Sequence, residues 1–93
     1  NARWRPLMEQ LAQKQDWQIE AGGDVADGGR VVGEYLAEVS VNGRAVRLVD
    51  AEQPDFETVV ELLKAQGFAV LATQPEDPQL IQNLKASFQG APT

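Results

Sequence analysis

Cysteine and histidine are both absent from the 93 residues of this chain. Their absence excludes disulfides, thiol nucleophiles, zinc sites built from Cys and His, and a histidine general base. Any metal would need oxygen ligands, which favours Mg²⁺, Mn²⁺ or Ca²⁺. We expect no cofactor, and the lack of cysteine fits a cytoplasmic protein.

Basic residues are also scarce. Eight Lys and Arg stand against fourteen Asp and Glu, which gives a formal net charge of −6. Proteins grip the phosphate backbone mainly through Lys and Arg. We therefore expect no strong nucleic-acid binding by this domain alone. No apolar run approaches the roughly 18 residues of a membrane-spanning helix, so we expect no membrane contact either.

The length predicts a single domain. The chain begins with Asn1 rather than Met. We interpret residues 1–2 as a tag remnant, residues 3–89 as one α/β domain and residues 90–93 as a tail. On this interpretation the domain has been excised from a larger protein.

The pattern of apolar residues and turn formers predicts the element order α-β-β-β-α-β-α. Glycines at 22–23 and 28–29 predict a flexible connection between the first two strands. The last strand follows a helix and should pair in parallel with an earlier one. Its continuous apolar run predicts a buried strand. The predicted helices are 6–15, 54–66 and one that starts at Asp77-Pro78; the predicted strands are 17–21, 31–41, 44–50 and 68–73.

This order places the chain in the α/β (α+β) class, with a mixed sheet whose central β-hairpin is flanked by helices. The hairpin turn is Asn42-Gly43, because a type I′ turn needs positive φ at both central residues. Counting outward from this turn pairs Glu38 with Arg47 as a cross-strand ion pair. The count also puts Tyr35, Ala37, Val39, Val46 and Leu48 on one apolar face and Leu36 beside Val49 on the other face.

Three acids in this hairpin allow two interpretations. Glu34, Glu38 and Asp50 could bind a divalent metal for cleaving nucleic acid. Alternatively, they are a surface ion pair and a strand-end acid. Alternation along the strands favours the second interpretation, because it turns Asp50 away from Glu34 and Glu38.

The predicted order resembles that of restriction-endonuclease-like folds. In that family an acid on the second strand and a Glu-x-Lys or Asp-x-Lys on the third strand converge on a metal. Glu34 or Glu38 matches the first acid. The third strand departs from the pattern, because there is no lysine between Lys14 and Lys64. The resemblance therefore implies the fold without its catalytic residues.

A second resemblance covers most of the chain. The matching segments resemble the C-terminal end of large bacterial DEAD/DEAH-box helicases, where a nuclease-like domain has lost its active site. This resemblance implies a DNA-associated parent whose ATP-binding motor lies elsewhere, since no Gly-x-x-x-x-Gly-Lys-Ser/Thr occurs here. The segments are Val31-Val-Gly-Glu-Tyr-Leu-Ala-Glu-Val39, Ala45-Val-Arg-Leu-Val-Asp-Ala-Glu52, Asp55-Phe-Glu-Thr-Val59 and Ala65-Gln-Gly-Phe-Ala-Val-Leu71.

Four apolar residues are candidates for an interaction patch. Leu36 and Val49 should form an apolar island that another element or a partner covers. Trp4 and Trp17 fit core or rim packing, or they anchor the domain on its parent. We therefore predict a non-catalytic accessory or protein-interaction domain from a larger nucleic-acid enzyme, with other domains of that parent or a separate protein as partner. The alternative is a divalent-metal-dependent nuclease domain with an unusual carboxylate site.

Overall fold

A computed structural model describes residues 2–13 and 16–89 of the chain. Its element order confirms the predicted α-β-β-β-α-β-α arrangement. A short 3₁₀-helix, Ala2–Trp4, precedes the first α-helix. The predicted end of that helix, Gln15, lies outside the described residues. The elements are α1 (Arg5–Ala12), β1 (Gln18–Asp27), β2 (Arg30–Val41), β3 (Arg44–Asp50), α2 (Phe56–Ala65), β4 (Ala69–Thr73) and α3 (Leu80–Phe88).

The four strands form one mixed sheet in the order β1-β2-β3-β4. The β1–β2 and β2–β3 pairs are antiparallel, whereas β3 and β4 are parallel. The parallel pair was predicted, because α2 carries the chain from the end of β3 back to the start of β4. Among the described helices, none has the length and apolarity that crossing a membrane requires.

Helices cover both faces of the sheet and form two cores. The first core lies beneath α1 and α3, and the second core lies beneath α2. Apolar residues at helical spacing explain both, because each helix buries one stripe of side chains. The first core contains Trp4, Leu7, Leu11, Val39, Val46, Leu48, Leu80 and Leu84. The second contains Val25, Val49, Val59 and Leu63.

The Asn-Gly turn sets the central hairpin as predicted. Asn42 and Gly43 have φ values of 52° and 80°, the positive values that a type I′ turn requires. The register then follows the prediction outward from the turn, from Val41–Arg44 as far as Ala37–Leu48. The Glu38–Arg47 pairing lies within this confirmed stretch.

The first strand is longer than predicted. It runs through the glycines at 22–23, and the expected flexible connection shrinks to the turn at Gly28-Gly29. The glycine at position 22 lets the backbones of β1 and β2 approach each other closely; it does not make the chain flexible there. A Cβ at this position would lie 1.8 Å from the carbonyl oxygen of Tyr35. Only glycine fits there without moving the backbone of β2.

The side chains of β2 change faces where the strand passes Gly22. The β1–β2 ladder skips Gly22 and Leu36. Val39 belongs to the first core, whereas Tyr35 packs against the second. Strict alternation would place both on one face. The predicted grouping of Tyr35 with Ala37 and Val39 is therefore wrong, because counting by twos requires an unbroken ladder.

The same interruption separates Leu36 from Val49. Leu36 packs against the first core, whereas Val49 is a fully buried member of the second core. The described β2–β3 register ends at Ala37–Leu48 and does not include these two residues as a pair. The predicted Leu36–Val49 island is therefore wrong.

Two helices begin later than predicted. α2 begins at Phe56 rather than Pro54, after Asp55 in a left-handed conformation with φ of 58°. α3 begins at Leu80 rather than at Asp77-Pro78. The Asp77 carboxylate accepts hydrogen bonds from the Gln79 backbone N–H at 2.8 Å and the Thr73 hydroxyl at 3.0 Å. Asp77 thus orders the turn that leads into α3 instead of capping its first residue.

The last strand is an edge strand. Ala69 and Ala72 of β4 are exposed, while Thr73 is buried. The expectation of a buried strand is wrong for most of β4, because the sheet ends there and the chain supplies no fifth strand within the described residues. An apolar run alone does not distinguish a central strand from an edge strand.

Candidate functional site

Glu38 is held by Arg47 on the neighbouring strand. Nε of Arg47 donates to Oε2 of Glu38 at 3.1 Å. The two side chains retain 25% and 20% of their exposure, so the pair is shielded from bulk water on most sides. The Glu38 carboxylate is thus already paired with a cation from within the domain.

The guanidinium of Arg47 also lies between two aromatic rings. Its Cζ is 4.2 Å from the ring centre of Tyr35 and 3.6 Å from that of Phe68. Both distances are within the range of cation–π attraction. The planar guanidinium can stack and donate at the same time, which a lysine cannot do. The hairpin register predicted the partner in β2, but no sequence signal indicated the stack on Phe68.

The other two candidate acids do not join Glu38. Asp50 Oδ1 accepts the backbone N–H of Glu52 at 2.8 Å. Alternation from Tyr35 places Glu34 opposite to Glu38, rather than on the shared face that was predicted. Within residues 2–13 and 16–89, no group of three acidic side chains is placed to hold a metal ion. Glu34, Glu38 and Asp50 therefore do not converge.

The backbone of Glu34 is bound by a glutamine that precedes α2. Nε2 of Gln53 donates to the carbonyl oxygen of Glu34 at 2.9 Å, and Oε1 accepts its N–H at 3.3 Å. This amide replaces the strand partner that the end of β3 no longer provides. Gly33 lies beside it, and a Cβ there would be 2.5 Å from Cγ2 of Val59. The contact seats α2 closely on β2.

The four residues of the predicted interaction patch do not form one surface. Trp4 is only 3% exposed in the first core and Val49 is fully buried under α2. The prediction allowed either another element of the domain or a partner to cover Val49, and α2 of the domain covers it. Trp17 is half-buried and makes an edge-to-face contact with Phe88 at 5.2 Å between ring centres. Neither Trp4 nor Val49 presents surface to a partner.

A groove lies where β3 and β4 end. One part of it has a volume of about 490 Å³ and is lined by Arg3, Pro6, Glu52 and residues 74–76 of the β4–α3 loop. The ion pair between Arg3 and Glu52 spans it. The carboxyl ends of parallel strands are a common place for ligands in α/β sheets. Here the groove is open and shallow, and its charged pair is already satisfied.

The outer edge of β1 has no neighbouring strand among the described residues. β1 ends the sheet and has ten residues, against five in β4. Glu20 and Asp24 on this strand are exposed. They lie directly opposite Glu38 and Glu34 of β2. Sequence reasoning missed this feature, because it treated residues 22–30 as a flexible connection.

No protein-family model, curated protein or solved structure matches the chain. The geometry of the described residues is therefore the basis for assigning a function.

Proposed function

We propose that this chain is a non-catalytic protein-interaction domain of a larger nucleic-acid enzyme such as an ATP-dependent helicase. The non-catalytic part of this proposal rests on the ion pair that Glu38 forms. Glu38 is one of the two acids that match the second-strand carboxylate of a nuclease-like site, and it is paired with Arg47 at 3.1 Å. The position across from it is occupied by a stacked arginine rather than by a catalytic lysine.

Charge supports the same proposal. A formal charge of −6 opposes contact with phosphates. Of the arginines on the hairpin, Arg47 is also unsuited to phosphate binding, because it is already paired and stacked. A domain with these properties contributes to a nucleic-acid enzyme through its protein contacts.

The proposed parent rests on the element order and on the likeness of four segments to helicase C-terminal domains. Such a parent would be located in the cytoplasm, which agrees with the absence of cysteine from this chain. The full-length sequence tests this part. A motor region with a phosphate-binding Gly-x-x-x-x-Gly-Lys-Ser/Thr in the same protein supports it, and a full-length protein without one contradicts it.

One experiment distinguishes the nuclease alternative from this proposal. Labelled single- and double-stranded DNA and RNA are titrated with the chain at low salt, and cleavage is followed with Mg²⁺ and with Mn²⁺. We expect neither tight binding nor cleavage. Metal-dependent cleavage that is lost in Glu38→Gln and retained in Glu61→Gln would contradict the proposal, as would tight, salt-sensitive binding.

A further inference from the structure

A row of charged residues crosses the sheet and is incomplete at its outer end. Glu20 of β1 faces Glu38 of β2, which in turn faces Arg47 of β3. Arg47 neutralises Glu38. Among the described residues, no cation, hydrogen bond or ion pair is placed on Glu20. Directly opposed like charges destabilise a sheet, so the row is one cation short at the β1 edge.

A second pair of acids repeats this arrangement further along the strand. Asp24 of β1 faces Glu34 of β2. Both acids are exposed. Segment 18–27 contains three acidic residues and neither lysine nor arginine. The open edge therefore carries negative charge on both sides of Gly22.

The backbone of this edge is held in strand geometry. Val25 is only 2% exposed and anchors β1 in the second core. The β1–β2 ladder extends from Gln18–Ser40 to Asp27–Arg30; it skips Gly22 and Leu36 and shifts register between Val25 and Ala26. Unpaired N–H and C=O groups on such an edge are a ready template for another strand.

We propose that β1 receives an extended, basic segment of a partner protein as an additional strand, with a lysine or arginine beside Glu20. This proposal rests on the proposed interaction function and names its surface and the chemistry of its partner. Main-chain hydrogen bonds supply affinity, and the cation completes the row that ends at Arg47.

A second copy of this chain is a poor occupant of the edge. Pairing β1 with another β1 would add a segment with three acidic residues and neither lysine nor arginine to an edge that is already negatively charged. The other sheet edge is a poor site for a basic segment, because β4 contains no charged residue and only five residues in all. Charge therefore selects both the edge and the partner.

Fluorescence anisotropy of labelled peptides tests the proposal. The probe is a peptide with alternating arginine and threonine. It has about eight residues, which is within the usual length of a strand. One control replaces each arginine by glutamate. A second control keeps every arginine but methylates alternate backbone nitrogens, so that the charge stays and the ladder cannot form.

We expect the unmodified basic peptide to bind and both control peptides to fail. Glu20→Lys should weaken binding by on the order of tenfold, since it removes an attraction and adds a repulsion. The matched variant Glu61→Lys changes the net charge equally on the exposed side of α2 and should bind almost as the parent does. Circular dichroism of both variants confirms that they are folded.

Amide hydrogen exchange locates the bound strand. Protection on peptide addition should appear in 18–25 and not in 69–73. Equal binding by the methylated peptide, equal loss in Glu20→Lys and Glu61→Lys, protection at β4, or no binding at all would each overturn this proposal. None of these results bears on whether the chain binds or cuts nucleic acid, so the proposed function stands or falls on its own titrations.

Discussion

Arg47 stacks its guanidinium on the ring of Phe68, with 3.6 Å between Cζ and the ring centre. The contact joins β3 to the residue that precedes β4. It therefore links the end of the α2 crossover to the central hairpin. On its other side the same group lies over Tyr35 and donates to Glu38. One side chain thus ties β2 and β3 to the residue that leads into β4, on the face that α2 covers.

Replacing this arginine should destabilise the domain. Arg47→Ala removes two ring contacts and the ion pair, and it leaves Glu38 beside Glu20 without a cation. We expect a loss of about 1–3 kcal/mol in the free energy of unfolding. The urea midpoint measures it. Arg47→Lys is the matched control: it keeps the charge but loses the planar stack, so its midpoint should fall between those of the parent and the alanine variant.

Gly22 should resist even the smallest side chain. Gly22→Ala places a Cβ 1.8 Å from the Tyr35 carbonyl oxygen, and only backbone movement can relieve that contact. We expect a loss of about 1–3 kcal/mol, as for an overpacked site. Gly23→Ala is the control, because its nearest contact would be 3.8 Å from Cε1 of Tyr35. Thermal unfolding of the two variants should differ clearly; similar melting temperatures would show that the strands do not approach each other this closely.

Two apolar residues of α2 should differ in how much they contribute to the stability of the domain. Leu63 is 1% exposed in the second core, so Leu63→Ala should cost about 2–5 kcal/mol. Phe56 is only half-buried at the start of the helix and Phe56→Ala should cost less. Chemical denaturation of both variants gives the order. A larger loss at Phe56 would mean that the helix buries a different stripe.

The opposed acids at the β1 edge should be a source of instability in the free domain. Glu20→Gln removes one charge of the Glu20–Glu38 pair and should raise the free energy of unfolding by about 0.2–1 kcal/mol at low salt. The gain should shrink in high salt, because screening weakens the repulsion. Glu61→Gln, also exposed but on α2, serves as the comparison. An equal gain in both variants would indicate an effect of net charge alone.

Much of the architecture could be predicted from local patterns. The Asn-Gly turn determined the hairpin register as far as Ala37–Leu48, and with it the Glu38–Arg47 pair. Apolar spacing identified Val59, Leu63, Leu80 and Leu84 as buried helix positions. Gly67, with φ of 99°, follows α2 as the expected stop. These features depend on residues that are near in sequence.

The failures share a physical cause. Gly22 looked like part of a flexible loop, because the reason for a glycine there is a carbonyl thirteen residues away on β2. The change of face at Leu36 lies beside that same approach and cannot be read from alternation. The stack of Arg47 on Phe68 and the Gln53 contacts with Glu34 depend on where α2 docks. Such contacts belong to tertiary packing, which single-sequence patterns do not encode.

The candidate site shows the same division. Alternation along the strands correctly placed Glu38 and Asp50 on opposite faces of the sheet. The absence of a lysine from the third strand was visible in the sequence. The open edge was not, because the first strand was assigned only as far as Ala21. Once β1 extends to Asp27, Glu20 and Asp24 line up against Glu38 and Glu34 of β2.

The order of strands in the sheet is the order of strands in the chain. Each strand after the first pairs with the one made just before it, so a chain emerging from the ribosome never has to hold a described strand open for a later insertion. Synthesis proceeds at roughly 5–20 residues per second and N-terminal parts fold first. The two hairpins can therefore form before α2 has emerged. The parallel pairing of β4 is then the step that closes the sheet, and Arg47 is already in place to receive Phe68.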